Sequence, residues 1–511
     1  MAWTPIPDFG QGLNRDSTPE EMALGVSSNA QNMRYRNGYA ERFRGIGAAY
    51  TAPPVTPYAI THYTVGTSRF VVYPGLQKTY ADDGTTQTEI TLASNAGGID
   101  DRFCAFAFNG VYIQNNGKDV PQYWGGNPAV KLADLPAWPA GYTAGFMRAF
   151  GNHLVAGDIT KAGVRYRSLI LASSLADPGT VPTSWDAADP TVEALEEPLA
   201  GTNGTLIDSL PLGDMNVIYK DDALHFQQDV QSAFVYRFGR LPGDTGLLAR
   251  GCVVNTPMGH VYLSPGFDVL LHSGQGPQSI LTGRMRKWLS SNMNAAQAQR
   301  SFLVANPATN EVLVCFPQGS TTICSQALVW NWKDNTFGVR DLPSVTYASL
   351  GQVTLPTSSD TWAGDTETWA DDGTTWGESD YAPNSPRVVF ARATSLALYD
   401  ATSKDVGNDF EARFERVGMH FEAPDTVKLI RGVRPRIEAA AGAVIKVQVG
   451  AAMLPGAYPT WQAAVDYTVG SSTQVDAFAS GRYLALRMYS TSGIGWRVRS
   501  AEMDIVAQGG W

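Results

Sequence analysis

The chain reads as an all-β protein: a six-bladed β-propeller followed by a C-terminal β-sandwich. Three observations point there. Short alternating stretches closed by turn residues recur at intervals of roughly 50 residues, the spacing of four-stranded blades. The 51 glycines and 30 prolines are spread along the whole chain, which favours many strands and turns over long helices. After about residue 400 the composition shifts into a new run of alternating strands that ends with residues 481–511.

A chain of 511 residues exceeds one ordinary core, so several domains are expected. Three are assigned: an N-terminal segment over 1–57, a propeller over 58–407 and a sandwich over 408–511. The N-terminal segment carries NMRYRNGYAERFRG, residues 32–45. Asn37-Gly38 is a two-residue hairpin turn, because both positions tolerate left-handed angles. It pairs Arg36 with Tyr39, Tyr35 with Ala40, Arg34 with Glu41 and Met33 with Arg42. Arg34 and Glu41 then face each other as a cross-strand ion pair, with a contribution of roughly 0.2–1 kcal/mol. The arginines divide between two faces and form no patch for nucleic acid. One helical turn is expected at 27–33.

Six blade-sized units follow, at 58–92, 100–135, 144–185, 205–240, 250–281 and 300–350. Hairpins are expected around Asn109-Gly110, Asp221-Asp222, Pro265-Gly266 and Asp334-Asn335. The stretch 282–302 is the best longer helix. The hexapeptide ADDGTT occurs at 81–86 and again at 370–375, where Trp376 follows. Asp371, Gly373 and Trp376 thus spell D-x-G-x-T-W, which resembles the Asp-box of sialidase-like propellers. In that family the box is a structural hairpin: Asp accepts backbone N–H groups, Gly takes an unusual φ and Trp packs beneath. Around it, 355–386 holds Trp362, Trp369 and Trp376 among acidic residues. Successive turns lead here, over a calcium loop or a sugar platform.

Chemistry-bearing motifs are missing. The four cysteines form no C-x-x-C pair, and with six scattered histidines no zinc spacing emerges. No nucleophile elbow, phosphate loop or H-E-x-x-H is present. His225, His260 and His272 fall in hairpin strands. The expectation is a non-enzyme with no cofactor and no metal. The net charge of -10 and pI of about 5.2 argue against a specific DNA reader. Basic clusters are short: Arg34–Arg44, Arg284/Arg286/Lys287 and Arg431/Arg434/Arg436. No run of eighteen apolar residues suggests a membrane span, and the N-terminus lacks a secretory pattern, so synthesis in a cytoplasm is expected.

The opening segment, with Gly12, Asn14, Pro19, Gly25, Asn29, Asn32, Gly38, Arg42 and Gly45 in characteristic places, resembles the start of tail proteins of short-tailed bacteriophages. The likeness is to their propeller-bearing nozzle, tail tubular B-type or hub proteins. ALVWNWKDNTFGVRDLP (327–343) and the ending GRYLALRMYSTSGIGWRVRSAEMDIV are similar to strands common in them. The resemblance implies a structural virion protein in a ring of six, below the portal and adaptor proteins and touching tail fibres or spikes. Double-stranded DNA would pass non-specifically through the channel, and a mildly acidic lumen would repel it. Loops 187–205 and 355–386 are candidate gates. The competing reading is a carbohydrate-binding or glycoside-processing, sialidase-like propeller.

Overall fold

Turn chemistry and alternation produce four-stranded antiparallel sheets, one after another. The structure, a computed structural model, describes residues 3–230, 236–353 and 385–510. Blade 1 begins at Thr61–Val65, blade 2 at Cys104–Phe108, blade 3 at Tyr142–Phe150 and blade 4 at Leu206–Leu212. Blades 5 and 6 begin at Val253–Thr256 and Phe302–Asn306. Each of these six sheets overlaps one expected unit, but blade 3 runs past 185 to its fourth strand, Leu195–Pro198, and the unit 300–350 takes in most of Tyr347–Gly351, which belongs to another sheet.

Among the described residues, however, the ring has seven blades. The seventh joins Tyr347–Gly351, Arg387–Ala391 and Leu396–Thr402 to Gly45–Ala48 from near the chain start. The first strand of each sheet packs on the first strand of the next, and that of blade 7 packs on that of blade 1. Repeat spacing counts six because the seventh blade has no 50-residue unit of its own; its last strand arrives from some 350 residues upstream.

Other local expectations also change. Residues 29–31 form a strand, Asn29–Gln31, instead of a helical turn. It pairs with Ala412–Met419, and that ladder outweighs a weak local preference. The long helix shrinks to Arg286–Asn292 and a 3-10 turn, Ala295–Arg300. Asn294 separates the two, its side chain accepting the Ala296 N–H at 3.2 Å.

The sandwich packs two sheets. One holds Asn29–Gln31, Ala412–Met419, Tyr483–Ser490 and Val444–Ala452, the last flanked by two short strands. The other holds Tyr39–Arg42, Trp496–Gly510, Thr426–Ala439 and Val475–Gly481, with Trp3–Ile6 beside Trp496–Gly510. Alternation decides what lies between them: along Val475–Gly481, Val475, Ala477 and Ala479 are buried while Asp476, Phe478 and Ser480 are exposed. Through the Met33–Val339 pair this second sheet continues into blade 6, giving ten strands in all. One apolar core therefore runs from the sandwich (Phe414, Val447, Met503) into blades 4 to 6 (Tyr219, Tyr262, Trp330).

The first 57 residues form no sheet of their own. Their strands enter both sandwich sheets and blade 7.

Candidate functional site: the joint between propeller and sandwich

The hairpin of residues 33–42 sits where the two parts meet. Asn37 and Gly38 take φ of 50° and 79°, and the strands pair Met33 with Arg42, Arg34 with Glu41, Tyr35 with Ala40 and Arg36 with Tyr39. The Asn37 N–H donates to Asp334 Oδ2 at 2.9 Å, docking this turn on the last hairpin of blade 6.

Arg34 is only 2 % exposed and gathers three carboxylates. Asp400 of blade 7 lies at 2.5 Å, Glu311 of blade 6 at 3.4 Å and Glu41 at 3.9 Å. Its guanidinium also lies over the Phe43 ring at 4.9 Å. Burial alone would pull the Arg34 pKa down, but the three carboxylates overcome this and hold it above the ordinary value. Glu41 takes its strongest bonds from Arg36, at 2.8 and 2.9 Å. Burial opposes its ionisation, yet Arg34 and Arg36 win and hold it below the usual range. Arg34–Glu41, the pair that strand register suggests, is thus the weakest contact of the cluster.

Arg42 turns to the other face. It donates to the carbonyls of Phe43 and Ser403, at 3.2 and 3.1 Å, and lies 3.9 Å from the Phe410 ring centre. Burial and the neighbouring Arg340 lower its pKa to about 10. Arg340 shares the Phe410 ring, forms an ion pair with Asp405 and donates to Asn32 Oδ1 at 3.0 Å. Asn32, at φ 53°, donates to Asp341 Oδ2 of blade 6 at 3.0 Å and to the Glu411 carbonyl of the sandwich at 2.7 Å. One amide side chain spans the joint. At Gly45 a Cβ would lie 2.1 Å from the Lys404 carbonyl oxygen, so only glycine lets this strand close blade 7. Arg34, Glu41, Arg42 and Arg340 thus each bond within the chain, which suits rigidity.

A second polar cluster fills the place where the inner strands converge. Arg148 of blade 3 forks onto Asp208 of blade 4, with both N–O distances 2.7 Å, and Asp208 also accepts the Gly251 N–H at 3.2 Å. Burial opposes the Arg148 charge, but Asp208 more than offsets it and raises the pKa. The segment before blade 2 reaches across to blade 6: Asp100 meets Arg300 at 2.7 Å, and Arg102 donates to the Gln299 and Ser301 carbonyls. Side chains thus bridge from the segment before blade 2 to the turn that leads into blade 6.

The three strand histidines are buried. His260 places Nδ1 2.8 Å from the Tyr219 hydroxyl and Nε2 2.9 Å from the Pro211 carbonyl. The four cysteines are buried free thiols, and burial pushes Cys252 up to about 12. Among the described residues no group of three or more His, Cys, Asp or Glu is placed to hold a metal. Asp371, Gly373 and Trp376 lie outside the described residues. In the first ADDGTT copy, Asp82 accepts the Gly84 N–H at 2.8 Å, and Asp83 accepts those of Thr85 and Thr86 at 2.8 and 2.7 Å.

Asp400, Glu311 and Arg340 could not be singled out from sequence. They lie hundreds of residues from the hairpin and carry no local motif.

No protein-family model matches the chain, and no curated protein matches it in sequence. Solved structures are similar to it at low identity. The WD40 β-propeller domain of Doa1 is 9 % identical, with a TM-score of 0.38, over 70 % of this chain and 97 % of that one. The AfRom2 CNH domain is 6 % identical, with a TM-score of 0.37, over 69 % and 96 %. PorZ, a bacterial surface component of the type-IX secretion system of Porphyromonas gingivalis, is 10 % identical, with a TM-score of 0.35, over 78 % and 44 %.

Proposed function

We propose that this chain is a non-enzymatic structural component of a bacteriophage tail, a nozzle or hub subunit that assembles into a ring. The observation that carries the reading is the use made of the residues behind the phage-tail resemblance. Asn14 ties the opening segment to the Gly283 carbonyl at 3.1 Å, and Asn29 bonds Glu415 of the sandwich at 3.1 Å. Asn32 bridges sandwich and blade 6, Gly38 makes the hairpin turn, and Gly45 closes blade 7. A motif spent wholly on joining parts suits a protein that bears load between neighbours.

These contacts across the ring bear on how such a protein would handle DNA. The duplex would pass through a ring of subunits, not through any one propeller. Portal-adaptor proteins above and fibres or spikes beside the ring are the expected partners, in the virion tail. Mass photometry and negative-stain microscopy of the purified chain test this. A closed ring with an opening wide enough for B-form DNA is the expected result. A monomer at high concentration, or hydrolysis of a glycan in an activity screen, would overturn it.

A further inference from the structure

Charge is segregated along this chain. Between Ser168 and Tyr219 lie eight acidic residues and no lysine or arginine, in a protein of net charge -10. Five of the eight, Asp186, Asp189, Glu193, Glu196 and Glu197, belong to the outermost strand of blade 3, Leu195–Pro198, or to the turns leading into it. Those turns are fixed. Asp186 accepts the Ala188 N–H at 2.9 Å, and Asp189 accepts the Thr191 hydroxyl and N–H at 2.6 and 2.9 Å. The Thr191 bonds hold Asp189 below the usual carboxylate range. Glu196 meets Lys161 at 2.5 Å and Glu193 faces His153 at 3.4 Å. Among the described residues no lysine or arginine pairs with Asp186, Asp189 or Glu197.

The opposite sign collects at the joint. A cleft of about 410 Å³ is lined by Arg15, Asn29, Lys287, Trp288 and Asn292, among others. The Arg15 guanidinium sits 5.1 Å from the Trp288 ring centre, donates to the Ala30 carbonyl and the Asn29 side chain, and keeps a buried Nε with no acceptor. Lys287 is exposed and has no carboxylate partner among the described residues. Asp16 spends its two oxygens on the backbone N–H groups of Lys287 and Trp288, at 2.9 and 3.1 Å. Nearby in sequence, Arg284 donates to the Asn335 carbonyl and Arg286 meets Asp268 at 3.4 Å.

We infer that the occupant of this cleft is a second copy of the chain, which docks its acidic blade 3 edge against Arg15 and Lys287. The inference rests on the ring reading above and names its contact surfaces. A DNA duplex asks for a sustained run of phosphate contacts, whereas this cleft offers two cations without carboxylate partners. A few preformed carboxylates match that number. The acidic edge belongs to blade 3 and the cleft to the opening segment and the helix Arg286–Asn292, so each copy offers two different surfaces, and head-to-tail repetition of such a contact closes rings.

Sedimentation velocity on the full chain at low and high salt tests it. Lys287→Glu reverses the cleft, and the double variant Glu193→Lys with Glu197→Lys reverses the edge; circular dichroism confirms that each is folded. Each variant should need at least about tenfold more protein to assemble than wild type, because like charges then face each other. An equimolar mixture of the two should assemble again, since each supplies the complement the other lost. If wild type assembles and both variants do so at the same concentration, this contact is wrong while the ring reading stands. If wild type stays monomeric at every concentration and salt, the ring reading fails and the contact fails with it.

Discussion

Arg34 shows how much a single side chain can carry. It is fully enclosed and balances Asp400, Glu311 and Glu41. Removing the cation leaves buried carboxylates with no counter-charge, and breaking such a cluster from one side costs about 3–5 kcal/mol. Arg34→Met should therefore lower the stability read from urea denaturation by that amount. His260 sets a pH limit. Burial lowers its pKa to about 4, against 6.5 for an exposed imidazole. The unfolded chain binds the proton first, so this contribution is complete above about pH 6.5. It is lost as pH falls towards 4, roughly 3 kcal/mol in all. Urea midpoints of wild type should fall across that window, and those of His260→Phe should fall less.

At the scale of the element, local chemistry and distant pairing divide the work. Asn37-Gly38 and Asn109-Gly110 both turn their hairpins through positive φ, and residue type alone announces this. Gly38→Val leaves room for the side chain, since the nearest atom to a Cβ is Asp8 Oδ1 at 3.8 Å. Its cost is the φ of 79°, of order 1–3 kcal/mol for a residue that resists left-handed backbone. The melting temperature should drop accordingly, while Gly38→Asn should stay near wild type. What sequence could not announce is pairing without proximity. Asn29–Gln31 looks helical until Ala412–Met419 lies beside it. Blade 7 escapes any repeat count because Gly45–Ala48 supplies its fourth strand. The arginines of the hairpin were legible as divided between faces, but their main partners were not: Asp400 lies 366 residues from Arg34 and Glu311 lies 277.

Across the whole molecule, the opening residues hold three sheets together. Residues 3–48 supply strands to both sheets of the sandwich, one of which runs on into blade 6, and to blade 7. Deleting residues 1–48 should do more than trim an edge. It removes the closing strand of the ring and uncovers Phe390 and Tyr399, which pack beside it in the core of blade 7. Loss of near-UV circular dichroism and rapid amide exchange throughout blades 6 and 7 are the expected readouts. A deleted chain that kept native protection there would show that the ring holds without its closing strand.

Closure by a strand from so early in the chain also fixes an order of events during synthesis. Gly45–Ala48 leaves the ribosome long before its partner Leu396–Thr402 exists. At the usual rates of translation the wait is on the order of 20–70 s. Throughout it, one edge of the nascent propeller has no mate. The waiting segment is Gly45-Ile46-Gly47-Ala48, four residues with a single large side chain, too short and too small to recruit a wrong partner strongly. A strand this short offers little to a wrong partner, and blade 7 can close only after Leu396–Thr402 has been made.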